Sequence, residues 1–148
     1  MDDYPLSKQE FDSIYHKVPR LTVELIIQSD KGVLLTLRSI EPCTGLWHIP
    51  GGTVYYGEPF KDAVRRIANK ELGINVLQSE MIGYIEYPEH VKSRYGDPRG
   101  IAFKITDYSG DFETNNEADK FEWFIEFPDN MHPHQGEFLI ENQLLKGS

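Results

Sequence analysis

The stretch from Trp47 to Ile74, WHIPGGTVYYGEPFKDAVRRIANKELGI, constrains the fold more than any other part of the chain. Pro59 suits the first turn of a helix, where its missing N–H would have had no intrahelical acceptor, and Gly73 suits the left-handed residue that stops one. A helix is therefore predicted over 59–72. At about 100° per residue, Phe60, Val64, Ile67 and Glu71 fall on one narrow stripe. Three are apolar, so that stripe must be buried; the fourth is an acid, which at the edge of a core needs a positive or hydrogen-bonding partner. Gly51 and Gly52, just ahead, let the backbone approach a ligand without a Cβ in the way, and their carbonyls are hard oxygen donors. Mg²⁺ is usually held by one or two carboxylates together with water and substrate phosphates, so Glu71 and a glycine carbonyl supply half such a site. From these residues alone, a Glu71 that simply reaches solvent at the helix end is an equal alternative.

Elsewhere the chain reads as strands with two further helices. Ser7 and Glu10 have the spacing of a capping box and predict an N-terminal helix within 7–18, from Lys8 to Val18, stopped by Pro19. LTVELIIQS and VLLTLRS flank the turn-forming DKG and read as an antiparallel hairpin, with Glu24 inside its first strand. LWHIP is a short strand running into the double glycine. INVLQSEMIGYIEYP, GIAFKITDYSG and KFEWFIEF read as strands, and GEFLIENQLLK as a closing helix. The sum is an α+β protein with a mixed sheet and helices around it, a three-layer α/β/α sandwich in one domain over 1–148.

Charge narrows the partners. The formal net charge of −9 argues against the basic surface that nucleic-acid binding needs. If the substrate is anionic, a divalent cation is the economical way to offset repulsion. The lone Cys43 cannot form an internal disulfide, no apolar run is long enough to span a membrane, and the acidic start MDDYPLSKQE lacks the basic region of a signal peptide. The expectation is a soluble, cytoplasmic protein with no nucleic-acid or membrane partner.

The stretch around the helix resembles the signature of the Nudix hydrolases, G-x5-E-x7-R-E-U-x-E-E-x-G-U with U a bulky aliphatic residue. Gly52, Glu58, Arg66, Ala68, Glu71, Gly73 and Ile74 match in register, whereas Ile67 and Lys70 replace two of the helix glutamates. A helix with a single glutamate at the Glu71 position is similar to the GDP-mannose mannosyl hydrolase branch, as are an acid at Glu24 and an arginine at Arg38. The resemblance implies one Mg²⁺, with Mn²⁺ as the alternative ion, held by the Gly51 carbonyl, Glu71 and, six residues before Trp123, Glu117. It implies catalytic involvement of Glu71, Arg66 and Glu58, the last two as an ion pair tying the loop to the helix, and substrate contacts from Arg38 and Glu24. That branch's general-base histidine aligns with Ala118, and the arginine after its double glycine with Thr53. The expected reaction is therefore Mg²⁺-dependent hydrolysis of a nucleoside diphosphate linked to another moiety, a nucleotide sugar first. The alternatives are C–O cleavage of a GDP-sugar, or a non-catalytic domain that binds a nucleotide or a protein partner. Homodimerisation is compatible with the chain.

The remaining titratable residues leave the base open. Glu89, His90 and Asp97, in EHVKSRYGDPRG, are candidates. His48 is expected as a packed strand residue, and His132 and His134, around Pro133, as a turn beside a surface tail rather than metal ligands. Arg38 suits a diphosphate, because a planar donor fork reads phosphate oxygens in pairs. Arg94 and Arg99 are either further phosphate contacts or solvated charges. Tyr55, Tyr56, Tyr84 and Tyr87 offer stacking faces or packing.

Overall fold

In the computed structural model, residues 4–38, 44–91, 96–113 and 120–147 are described. The central helix α2 spans Phe60–Leu72, with Pro59 as its N-cap, and buries Ala63, Val64, Ile67, Ala68 and Leu72. Gly73 ends it at φ 72°, donating its N–H to the Asn69 carbonyl at 3.0 Å. The left-handed conformation is needed here, and a Cβ would also stand 2.6 Å from the Glu113 Cγ.

The apolar stripe of α2 meets a four-stranded sheet. Its order is β5 (Gly51–Thr53), β1 (Arg20–Ile26), β7 (Pro98–Ser109), β6 (Asn75–Glu86), with β1 and β7 parallel and the other neighbours antiparallel. A second sheet centres on β3 (Gly32–Leu37), which pairs antiparallel with β2 (Gln28–Ser29), β4 (Trp47–His48) and β8 (Lys120–Phe124). The α+β, mixed-sheet architecture is as the sequence predicts.

The expected hairpin is only partly formed. Gln28 and Ser29 do pair with Val33 and Gly32, but β1 joins the first sheet and β3 the second. The reason is burial on both faces: Thr22 to Ile26 are all buried, so β1 takes a central position between β5 and β7 instead of the edge of a two-stranded ribbon.

Two cores flank the first sheet. Val23, Leu25, Val64, Ile67, Leu72 and Phe103 form one under α2. Ile26, Ile85, Ala102, Phe138 and Leu139 form the other under α3 (Pro133–Glu141). Helix α3 begins three residues before the predicted Gly136, because Pro133 takes the first helical position, where its missing N–H costs nothing. This corrects the expectation for His132: as the N-cap it is 6% exposed, facing inward rather than lying on a surface turn.

Helix α1 spans Lys8–Tyr15, shorter than predicted, with the capping box formed: Ser7 Oγ accepts from the Glu10 N–H at 3.1 Å and Glu10 Oε1 accepts from the Ser7 N–H at 3.0 Å. It buries no residue fully; Phe11 meets Tyr4 and Tyr15 edge-on, Tyr4 meets Tyr55, and the Arg20 guanidinium lies against the Phe11 ring. For Gly73→Ala, the combination of left-handed backbone and Glu113 contact predicts a loss of about 1–2 kcal/mol. Thermal unfolding should show the midpoint falling by several degrees.

Candidate functional site

Successive residues of β1 point to opposite faces of the sheet. Val23 and Leu25 enter the α2 core, so Arg20, Thr22 and Glu24 line the other face, at the wall of a cleft of about 230 Å³. Gly51, Gly52 and Arg38 also line it, together with His48, Tyr87, His90, His132 and Gln135.

Glu24 is 7% exposed and sits where both neighbouring strands carry glycine. A Cβ on Gly51 would stand 2.6 Å from its Oε2 and 2.4 Å from the Val23 carbonyl oxygen, and a Cβ on Gly100 would stand 2.6 Å from its Oε1. The glycine ahead of α2 thus makes room for a carboxylate as well as for a ligand. Oε1 accepts from the Thr22 hydroxyl at 3.1 Å and from the Tyr87 hydroxyl at 3.4 Å. The Tyr87 oxygen in turn accepts from Gln135 Nε2 at 2.9 Å, and Gln135 Oε1 accepts from the Ile49 N–H at 2.6 Å. Burial pushes the Glu24 carboxyl up to about 7, against the pull of Thr22, the Arg20 charge and Tyr87. It is therefore a group poised between acid and base at neutral pH.

Arg20 is the cleft residue that sequence reasoning missed. Its Nη1 donates to Thr53 Oγ1 at 2.8 Å, and its guanidinium lies 5.4 Å from the centre of the Phe11 ring. The signal was available: Arg20, Thr22 and Glu24 recur with the period of two that places strand residues on one face. Arg38, just beyond β3, brings a second guanidinium to the same cleft.

Arg66 and Glu58 form a clamp. Arg66 Nε and Nη2 donate to Glu58 Oε2 and Oε1 at 2.8 and 3.0 Å, and Nη2 also donates to the Thr53 carbonyl at 2.8 Å. Glu58 Oε1 accepts from the Tyr55 N–H at 3.0 Å, and the Arg66 guanidinium lies 3.6 Å from the Tyr55 ring centre. The hydrogen bond from Arg66 holds the Glu58 carboxyl below its usual range. Neither residue lines the cleft; the pair fixes the loop between β5 and α2. Thr53 joins the two systems, with its carbonyl on Arg66 and its hydroxyl on Arg20.

Of the three expected metal donors, Gly51 lines the cleft and Glu71 is half-buried in the last turn of α2, outside the described lining. Glu117 lies outside the described residues, as do Arg94 and Cys43. Ile67 is 3% exposed, its Cδ1 3.0 Å from where a Gly52 Cβ would stand. Glu71 follows Ile67 by four residues, about 6 Å along the helix axis. A carboxylate and a glycine carbonyl fit a hard divalent cation. Ile67, by contrast, fills with hydrocarbon the position where the family's acid stands.

The other candidates separate clearly. Asp97 and Glu86 pair with the exposed Arg99 at 2.9 and 3.0 Å, away from the cleft, which makes Arg99 a surface charge. His48 lines the cleft, its Nε2 3.3 Å from the Thr36 hydroxyl, rather than packing in the core. Tyr56 and Tyr84 are exposed, and Tyr87 is buried. The 3₁₀ turn Pro88–His90 meets the start of α3, with His90 Nε2 3.3 Å from His132 Nε2 and His134 Nε2 bonded to Glu89 Oε2. Burial, aided by His90, pushes the His132 imidazole down to about 4, so it is neutral at neutral pH. The sequence did not link these residues, because they lie some forty positions apart and meet only through the packing of α3.

A family model for the NUDIX domain matches residues 18–139, and the chain belongs to the Nudix hydrolase family. Among its relatives is the low-salt glycan biosynthesis protein Agl8 of Haloferax volcanii, 31% identical over 136 residues that cover 88% of this chain and 86% of that protein. An ADP-ribose pyrophosphatase of Methanocaldococcus jannaschii is 30% identical, over 72% of this chain and 62% of that protein. A solved structure similar in fold is the MutT Nudix hydrolase of Burkholderia pseudomallei, with a TM-score of 0.73, 23% identity and coverage of 84% of this chain and 98% of that one. Nudix hydrolases use divalent metals and act on small nucleotide substrates. No helix among the described residues is long and apolar enough to cross a membrane.

Glu24 gives a pH prediction. Its folded-state value, about 7, lies above its ordinary 4.5, so the stability linked to its proton is complete below 4.5 and is lost as pH rises through 7. Replacing it by glutamine removes that loss. Urea unfolding of the two chains, to which His132 contributes equally, should show Glu24→Gln gaining on the parent between pH 6.5 and 8.5 by about 1 kcal/mol.

Proposed function

We propose that the chain hydrolyses a nucleoside diphosphate linked to a second group, a nucleotide sugar first, with Mg²⁺ or Mn²⁺ held by the Gly51 carbonyl, Glu71 and Glu117. The observation that carries this reading is the pair of guanidinium groups, Arg20 and Arg38, in a cleft beside the double glycine of a chain whose net charge is −9. Two planar donor forks in an otherwise acidic protein suit the non-bridging oxygens of a diphosphate. Similarity to a glycan biosynthesis protein supports the sugar, and similarity to an ADP-ribose pyrophosphatase supports the diphosphate linkage. The whole of 1–148 is read as one cytoplasmic domain.

The chemistry a bound divalent cation supplies is charge neutralisation on the diphosphate and on the leaving oxygen. The chain's own residues do the rest. Arg20, oriented by Thr53, takes the place of the arginine missing at Thr53 itself, and Arg38 holds the second phosphate. The Arg66 and Glu58 clamp keeps the loop that carries Thr53 in register with α2. Glu24, half-ionised near neutrality, accepts from or donates to a ribose hydroxyl, or accepts from a base N–H.

A second reading rests on Ile67: hydrocarbon in place of a helix acid suits a domain that binds a nucleotide without turning it over. Turnover separates the two. With Mg²⁺ and a panel of nucleotide sugars and ADP-ribose, Glu71→Gln should lower kcat/KM about a hundredfold or more. An unchanged rate would rule out Glu71 as a ligand, and no turnover of any substrate by the parent would favour the binding domain. Arg20→Ala should raise KM for the diphosphate about tenfold or more, a salt-sensitive loss expected of a charge-assisted contact.

A further inference from the structure

We propose a second metal site, built from His90 and His132 of the cleft and the neighbouring Glu89, that takes a transition-metal dication such as Zn²⁺ or Co²⁺ rather than Mg²⁺. One ligand atom from each residue lies within 4.8 Å of the other two. The two Nε2 atoms are 3.3 Å apart. Two ligands on a tetrahedral ion with bonds of about 2.0–2.1 Å are separated by about 3.3–3.4 Å, so the nitrogens have the separation such an ion needs, and the nearly coplanar rings, with centroids 5.5 Å apart, must tilt for their lone pairs to converge on it. Glu89 Oε1 stands 3.7 Å from His90 Nε2 on an exposed side chain.

The surroundings are those of a built site. His132 is 6% exposed, and the nitrogen it turns toward His90 is Nε2. His134 holds the other oxygen of Glu89, the outer contact that typically orients a ligating carboxylate. Tyr87 meets the rings of His90 and His132 edge-on, with centroids at 5.7 and 5.1 Å, and its hydroxyl reaches Glu24. Without a cation, the facing imidazoles share one N–H···N bond. Binding requires both Nε2 lone pairs, so that proton moves to Nδ1 of the same ring. Two imidazoles and one carboxylate favour zinc and its neighbours over magnesium, whose ligands are oxygen. Since His90 and His132 both line the cleft, the fourth coordination position opens toward it, available to water or to an anionic oxygen.

The site does not depend on the proposed reaction, and its test does not require turnover. The untagged chain, stripped with a chelator and held in excess Mg²⁺, is titrated with Co²⁺ and followed by visible absorption. We expect a ligand-field band that saturates at about one equivalent and is bleached by Zn²⁺. The band should persist in Glu71→Gln and weaken at least about tenfold in affinity in Glu89→Gln. It should be lost in His90→Ala, with circular dichroism confirming that each variant is folded; these two positions avoid the buried His132, whose replacement threatens the core. No band, or one unchanged in both His90→Ala and Glu89→Gln, overturns the site. A band lost in Glu71→Gln but kept in His90→Ala assigns the cobalt to the helix and overturns it equally.

Discussion

The seating of one carboxylate organises this molecule. Glu24 occupies the central strand of the first sheet, where an ionised group would ordinarily be prohibitive, and is accommodated because β5 and β7 present Gly51 and Gly100 to it. Its hydrogen bonds then propagate outward: Tyr87 to Glu24, Gln135 to Tyr87, and the Ile49 backbone to Gln135. That chain ties β1, the end of β6, the first turn of α3 and the segment before the double glycine into one wall. Without the Glu24 carboxylate, Gly100 would have no steric partner and the polar chain no terminus, whereas Gly51 would still face the Val23 carbonyl oxygen.

A second network, orthogonal in purpose, reaches the cleft through Arg20. Arg66 reaches back from α2 to Glu58 and to the Thr53 carbonyl, and Thr53 passes the constraint to Arg20 through its hydroxyl. The signature residues Arg66 and Glu58 therefore act on the cleft at one remove: they position the strand end that orients a cleft guanidinium. Ile67, beneath Gly52, completes the hydrophobic seat of the same strand where the family places an acid. The cleft combines two arginines, a buried carboxyl and a histidine-rich wall, while the net charge of the whole chain is strongly negative.

What could be read from the sequence was what depends on neighbours along the chain. The capping box at Ser7 and Glu10, the left-handed stop at Gly73 and the apolar stripe of α2 are local consequences of backbone geometry, and all three occur as read. The pairing of Arg66 with Glu58 was legible through the signature spacing. The split of the expected hairpin was not, because the choice between a ribbon and two sheets is made by burial on both faces of β1, a tertiary quantity. The same holds for the inward-facing His132, which depends on Pro133 starting α3 early and on the 3₁₀ turn bringing His90 against it. Arg20 was legible in principle, two and four residues before Thr22 and Glu24 on one strand face, but was overshadowed by the stronger signal of the helix.

The reaction proposed for this cleft is attack of water on phosphorus in a diphosphate linkage. Turnover of a nucleotide sugar in heavy-oxygen water with Mg²⁺, followed by mass analysis of both products, tests it most directly. The account predicts a nucleoside monophosphate and a sugar phosphate, with the heavy oxygen bound to phosphorus in one of them. Heavy oxygen on the anomeric carbon of a free sugar, alongside an intact nucleoside diphosphate, would contradict it.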